Sequence, residues 1–405
     1  MQTHLSQALL DTAEGREAES ILRTCVHCGF CNATCPTYQL LGDELDGPRG
    51  RIYQIKQVLE GEVTGEATRL HLDRCLQCRA CETTCPSGVR YARLAEIGRA
   101  AVEREQPRNW RARAFRWGLR RVLPHTGRFA ALLWLGRLAE PFIPRRVRPA
   151  LPPVRPAGVW PRAVHERTML LLDGCVQPAA APLTNAAAAR VFNRLGIRLE
   201  RPQGQGCCGA VSYHLNAHAE GLSQARRNID AWWPAIEAGA EALVITASGC
   251  GLQVKEYGEL LRDDPAYAEK ATRVSALARD VAEVLSAEDL SSLPRGEGRR
   301  VAFHAPCTLQ HGQRLGGAVE GLLRQLGYEL APVADAHLCC GSAGTYSILQ
   351  PELSRQLRAN KLHALAAGEP ELIVSANIGC QLHLQQASET PVRHWIELLD
   401  PAPPV

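Results

Sequence analysis

The stretch GQGCCG, residues 204–209, admits two readings. Spaced as Gly204-x-Gly206-x-x-Gly209, it matches a dinucleotide-binding glycine loop, which needs a strand running into it and an acidic residue about 20 positions on. Read as Cys207-Cys208-Gly209, it sets two metal-binding thiols on one turn. The chain itself decides between them, because it holds a second copy, AHLCCG, at 336–341. There Ala336 and Leu338 replace Gly204 and Gly206, and only Cys-Cys-Gly is kept. Arg201-Pro202-Gln203 interrupts any strand entering the first loop, and Asp230, near the acidic offset, falls in the helical-looking QARRNIDAWW. The thiol reading prevails.

The copies extend well beyond the loop. Cys175, Cys207, Cys208 and Cys250 correspond to Cys307, Cys339, Cys340 and Cys380, with 32 residues from the lone cysteine to the pair in both. Asn228 and Asn360 each follow the pair's second member by 20 residues. Internal repeats of this kind are sought before single motifs are believed. Four apolar runs end at cysteines: RTMLLLDGC (167–175), EALVITASGC (241–250), RRVAFHAPC (299–307) and ELIVSANIGC (371–380). Alternating with helical stretches, they predict parallel strands in an α/β layer. Ligands of such sheets gather at the carboxyl ends of the strands, where these cysteines fall. The glycine after each pair lets the backbone approach the site or take a positive φ.

Sixteen cysteines in 405 residues is the outlying number of the composition. With no visible signal peptide, a reducing cytoplasmic setting is expected, in which clustered thiols are metal ligands more often than disulfides. Eight of them form two runs. CVHCGFCNATCP supplies Cys25, Cys28, Cys31 and Cys35; CLQCRACETTCP supplies Cys75, Cys78, Cys81 and Cys85. Both are the bacterial ferredoxin spacing, in which the fourth cysteine of each run ligates the other cluster. The expected sets are Cys25, Cys28, Cys31 and Cys85 for one [4Fe–4S] cluster, and Cys75, Cys78, Cys81 and Cys35 for the second. Zinc sites pair two short knuckles instead. Between the runs, GPRGRIYQIKQVLEGE (47–62) has a helical apolar period, with Asp46 as N-cap and Pro48 in the first turn. Arg49 and Arg51 there face a cluster or a partner's carboxylates, or stand exposed.

From Arg104 to Arg148 twelve arginines face two glutamates, interleaved with Trp110, Phe115, Trp117, Leu132, Trp134 and Phe142. Pro124 splits this segment into two helices. A basic amphipathic pair of this kind suits an anionic membrane surface; helices packed on neighbouring domains with solvated arginines are the alternative. The proline-rich stretch 144–163 reads as a linker. The net charge of +4 and the lack of an RNA-binding motif exclude a nucleic-acid partner. No apolar run is long enough to span a bilayer.

These features resemble the family of glycolate oxidase iron–sulfur subunits. The phrases that carry the resemblance include GDELDGPRGRIYQIKQVLEG, TASGCG, CTLQH, HLCCGSAGTY and RHWIELL, and it covers nearly the whole chain. It implies an α+β multidomain fold: an all-α two-cluster ferredoxin domain over 1–103, a basic segment and linker over 104–164, and two pseudo-repeated α/β cysteine-rich CCG domains over 165–298 and 299–405. It also implies a subunit of an oxidoreductase complex. Flavin-containing partner subunits oxidise glycolate to glyoxylate; this chain relays their electrons toward membrane quinone, from the cytoplasmic face of the inner membrane, with no catalytic residue of its own. Related readings are a glycerol-3-phosphate or lactate dehydrogenase subunit, or a CCG-type disulfide reductase. Against the last, Ala247 and Asn377 stand where that reductase has a fifth cysteine. Four cysteines per copy leave open a cluster in each, a cluster in one, or a site serving quinone.

Overall fold

The computed structural model describes residues 1–62, 65–142 and 155–401. Arg145, Arg146 and Arg148 of the basic segment and residues 144–154 of the proline-rich stretch lie outside them. The chain divides into two compact units, 1–117 with 337–361, and 118–336 with 362–405. The CCG pair of the second copy therefore belongs to the first unit by contact, although Cys307 and Cys380 belong to the second.

The first unit is helical. Helices Ala13–Thr24, Pro48–Leu59, Glu66–Asp73 and Tyr91–Glu105 surround one core that includes Leu22, Ile52, Ile55, Leu72, Leu94 and Ile97. Thr12 caps the first of them, its hydroxyl accepting the Gly15 N–H at 2.9 Å. The helix expected after residue 46 begins at Pro48, with Gly47 as its N-cap. Asp46 is not the cap. It ends a short 3₁₀ turn, Glu44–Asp46, and is fully buried against Arg51.

The second unit holds two four-stranded parallel sheets of the same topology. β1 (Arg167–Leu171), β2 (Ile197–Glu200), β3 (Leu243–Ile245) and β4 (Ala278–Asp280) run in the order β2-β1-β3-β4. β5 (Arg300–His304), β6 (Glu329–Leu330), β7 (Leu372–Ser375) and β8 (Val392–His394) run in the order β6-β5-β7-β8. Parallel neighbours need crossovers, supplied in the first sheet by helices Pro182–Arg194 and His218–Glu237 and by the helices between β3 and β4. The apolar runs are continuous because both faces are covered. Met169, Leu171 and Val244 enter one core, while Leu170, Leu172, Leu243 and Ile245 enter another on the opposite face. The first of these cores also contains Val301, Phe303, Val374 and Trp395, so the two sheets share it.

The strands stop short of the cysteines. β1 ends four residues before Cys175 and β5 three before Cys307. Cys250 and Cys380 each occupy the third position of a helix, Ser248–Lys255 and Ile378–Gln385. The two copies meet there. The Ser248 N–H donates to the Ala376 carbonyl at 3.0 Å, Asn377 Nδ2 donates to Ser248 Oγ at 3.1 Å, and Gln313 Nε2 donates to the Ser248 carbonyl at 2.9 Å. The basic segment forms helices Trp110–Val122 and Thr126–Ala139, broken around Pro124 as its proline requires.

Candidate metal centres

Each ferredoxin run opens with a loop of alternating backbone hand. His27 and Gly29 have φ of 57° and 86°, and Gln77 and Arg79 have 52° and 62°. Such turns aim successive N–H groups inward and build anion-binding concavities suited to iron–sulfur sites. The Gln77 N–H already donates to Cys75 Sγ at 3.4 Å. Left-handed backbone at a non-glycine residue carries strain of about 1 kcal/mol or more, which both loops keep at one matched position, His27 and Gln77, and the second loop also at Arg79.

Two adjoining cavities follow. Cys25, Cys28, Cys31 and Cys85 line the first; Cys35, Cys75, Cys78 and Cys81 line the second, and Cys81 touches both. The last cysteine of each run thus lines the cavity opened by the other run. The chemistry of this donor set fits two iron–sulfur clusters: four soft sulfur ligands per cavity, on loops with left-handed residues at matched positions.

The surroundings of the cavities differ. Burial pushes the Cys31 thiol up to about 11 and raises Cys25 as well. Burial alone would also raise Cys75, but the Arg51 and Arg99 guanidiniums outweigh it and leave that thiol lowered. Arg51 is 1% exposed and lines the second cavity. Its Nε donates to the His71 carbonyl at 2.7 Å, Nη1 to Thr37 Oγ1 at 3.1 Å and Nη2 to Asp46 Oδ1 at 3.2 Å. Asp46 Oδ2 pairs in turn with Arg74 at 2.7 Å. Arg51 is therefore a buried cation fixed beside four thiols, and Arg49 a half-exposed one on the first cavity, paired with Glu44 at 2.6 Å. The sequence left both open between a cluster and solvent.

In the first cysteine repeat the four expected thiols converge. Cys175 and Cys208 are neighbours of Cys207, and Cys250 is a neighbour of Cys208, near enough to perturb one another's ionisation. The neighbouring thiols of Cys175 and Cys208 hold the Cys207 thiol well below its usual range. The Gly209 N–H also reaches Cys207 Sγ, at 3.5 Å. Gly209 has φ of 96°, and a Cβ there would stand 2.6 Å from the Gly221 carbonyl oxygen. Glycine is required on both counts. Asn228, seen in the sequence only as a landmark, braces the loop: its Oδ1 accepts the Gly206 N–H at 2.8 Å and its Nδ2 donates to the Cys207 carbonyl at 2.9 Å. Tyr257 donates to the Cys208 carbonyl at 2.8 Å.

The second CCG loop repeats this local geometry. The Gly341 N–H reaches Cys339 Sγ at 3.5 Å, Gly341 has φ of 87°, and a Cβ there would stand 2.6 Å from the Ser354 carbonyl oxygen. The asparagine correspondence does not carry over. Asn360 is exposed, and Ser354 Oγ donates to the Gly341 carbonyl at 2.8 Å instead. Cys307, Cys339, Cys340 and Cys380 are all buried. The sequence reading missed one residue near Cys380. A ring nitrogen of His304, at the carboxyl end of β5, lies within 4.8 Å of Cys380 Sγ. The signal was present in the repeat: His304 stands three residues before Cys307, where Leu172 stands before Cys175. Asn377 is a helix cap, its Oδ1 accepting the Gly379 N–H at 2.8 Å.

Comparison with known proteins identifies the domains that carry these cysteines. A 4Fe-4S dicluster domain model matches residues 21–89, and a cysteine-rich domain model matches 169–255 and 301–385. The chain holds multiple iron–sulfur clusters on this basis. It is 58% identical to the glycolate oxidase iron-sulfur subunit of Escherichia coli K12, over 99% of both chains. It is 30% identical to the probable glycolate oxidase iron-sulfur subunit of Bacillus subtilis 168, over 92% of this chain and 90% of that one. The lactate utilization protein A of Bacillus licheniformis is 30% identical over 49% of this chain and 82% of that one. This chain belongs to the family of glycolate oxidase iron–sulfur subunits.

Proposed function

We propose that the chain is the electron-relay subunit of a glycolate oxidase. A flavin-containing partner removes two electrons and two protons from glycolate, giving glyoxylate. The electrons pass singly through this chain, and quinone takes them up with two protons as quinol. Clusters suit this step because they carry single electrons between two-electron carriers. The observation that carries the reading is the full-length likeness to the E. coli subunit, joined to two thiol-lined cavities in one small helical unit. Cys25, Cys28, Cys31 and Cys85 would hold one cluster and Cys75, Cys78, Cys81 and Cys35 the other. Cys175, Cys207, Cys208 and Cys250 would hold a further centre. By the repeat, Cys307, Cys339, Cys340 and Cys380 are candidate ligands of another. Lactate as substrate is the second reading, favoured by the likeness to the lactate utilization protein, but that likeness spans only half of this chain.

No helix among the described residues is long and apolar enough to cross a membrane. Contact with the quinone-bearing bilayer would instead be peripheral, through helices Trp110–Val122 and Thr126–Ala139. Trp110, Trp117, Trp134 and Leu135 are exposed there beside arginines, and Phe142 is exposed just beyond the second helix, a pairing that favours anionic interfaces. Arg108 and Arg120 are committed elsewhere, to Asp73 and Glu220.

The test is co-purification with glycolate-dependent quinone reduction. Capture of a flavoprotein, and loss of quinone reduction on deleting this chain, are expected. Intact quinone reduction without the chain refutes the reading. For the membrane contact, replacing Arg111 and Arg113 by glutamine is expected to weaken binding to anionic vesicles; unchanged binding refutes it.

A further inference from the structure

The two sheets superimpose in topology but not in the residues at their strand ends. In the second sheet His304 pairs with Ser375 in the β5–β7 register. Counting back from Cys175 and Cys250, the matching residues of the first copy are Leu172, one position past the end of β1, and Ile245, the last residue of β3. Those two are 2% and 1% exposed and belong to an apolar core. His304 and Ser375 are equally buried, at 2% and 0%. The fold therefore accepts a purely apolar pair at this place. An imidazole and a hydroxyl buried there cost desolvation that leucine and isoleucine avoid.

The Ser375 hydroxyl and His304 Nδ1 hydrogen-bond at 3.1 Å. A bond of that kind fixes ring orientation and tautomer, as partners of metal-bound histidines do. With Nδ1 engaged, coordination would use Nε2. A ring nitrogen of His304 lies within 4.8 Å of Cys380 Sγ, and Cys307 follows His304 by three residues, in the loop beyond the end of β5. A buried histidine satisfied by serine alone would account for the hydrogen bond. It would not account for placement against a candidate thiolate ligand in the one copy that departs from leucine.

We propose that His304 is a nitrogen ligand of the metal centre in the second cysteine repeat, so that the two repeats hold centres of different ligand chemistry. The first copy would be an all-thiolate centre. In the second, a neutral imidazole joins the thiolates Cys307 and Cys380. Histidine in place of thiolate raises the potential of an iron–sulfur centre, which would place the second repeat later in an electron path. The proposal rests on the reading that the second repeat is loaded.

The experiment uses the full-length chain, purified anaerobically with its iron and with isotopically labelled histidine, and pulsed electron paramagnetic resonance after partial reduction. A directly bonded nitrogen coupling is expected in the parent protein. It should be lost in His304→Leu, a change the first repeat shows the fold can hold, and in His304→Cys, where the signal of the same centre, now without nitrogen coupling, should titrate at a lower potential. A parent protein without nitrogen coupling, or a coupling that survives His304→Leu with iron retained, overturns the proposal. Iron content unchanged by Cys380→Ala overturns instead the reading beneath it, that the repeat is loaded, and the proposal falls with it.

Discussion

The two cysteine repeats share strand order, the 32-residue step from lone cysteine to cysteine pair and a common core, yet they end their strands in different chemistry. Across the first sheet the ends read Leu172, Ile245 and Asp280; across the second they read His304, Ser375 and His394. Asp280 and His394 occupy equivalent registers, and each caps the helix that follows. Asp280 Oδ1 accepts the Ala282 N–H at 3.0 Å, and His394 Nδ1 accepts the Ile396 N–H at 3.2 Å. One position thus does one structural job with an acid in one copy and a base in the other. Burial pushes the Asp280 carboxyl up to about 7 and the His394 imidazole down to about 4, so both are held neutral between those values. The scaffold is set by apolar periodicity, and strand-end chemistry is left free to diverge.

The strongest way to break this comparison is to remove ligands copy by copy. Cys208→Ala is expected to release about four irons and erase one cluster's spectrum, with the second repeat unaffected. Iron analysis of the purified variant decides it; equal loss from both copies would mean they are not independent centres.

Next come the two caps, whose pH dependences have opposite sign. Asp280 has a raised folded-state pKa, so the native state keeps a proton that the unfolded chain gives up. Stability therefore falls as pH rises from about 4 to about 7, by roughly 4 kcal/mol if this group acts alone. Denaturant melts of Asp280→Asn should lack that fall. His394 has a lowered folded-state pKa, so the unfolded chain takes up a proton that the native state refuses. Stability is lost as pH falls from about 6.5 to about 4, by roughly 3 kcal/mol. His394→Gln should flatten the acid side alone. Parallel pH profiles for the two variants would refute the opposite-sign reading.

The smallest effect sharpens the comparison from the other side. Leu172→His gives the first copy the second copy's strand end without its serine. A loss of about 1–3 kcal/mol is expected from the unsatisfied imidazole. Adding Ile245→Ser should recover part of it, measurable as a non-additive double-mutant cycle.

Legibility in the sequence followed the range of the interactions. The ferredoxin runs, the break at Pro124 and the Cys-Cys-Gly turns are local: a few residues of spacing encode which groups share a loop. The central strands were legible because covering both faces makes their apolar runs continuous. The outer strands β2, β4, β6 and β8 were not singled out, since two to four residues at a sheet edge carry too little pattern. The equal spacing of Asn228 and Asn360 misled for a similar reason. Distance along the chain fixes a helix position only if the helix keeps the same rotation about its axis, and only Asn228 is buried.

The sequence by itself determined which cysteines are grouped, the ferredoxin spacing of the first eight and the pairing of GQGCCG with AHLCCG. It also determined that a glycine must follow each cysteine pair, because a tight left-handed turn is a local demand. Only the tertiary structure decided that Arg51 is a buried cation beside the second cavity, that Asn228 braces the first CCG loop, and that His304 stands against Cys380. Those depend on strand register and on burial, which join residues tens of positions apart through cores that no short window of sequence contains.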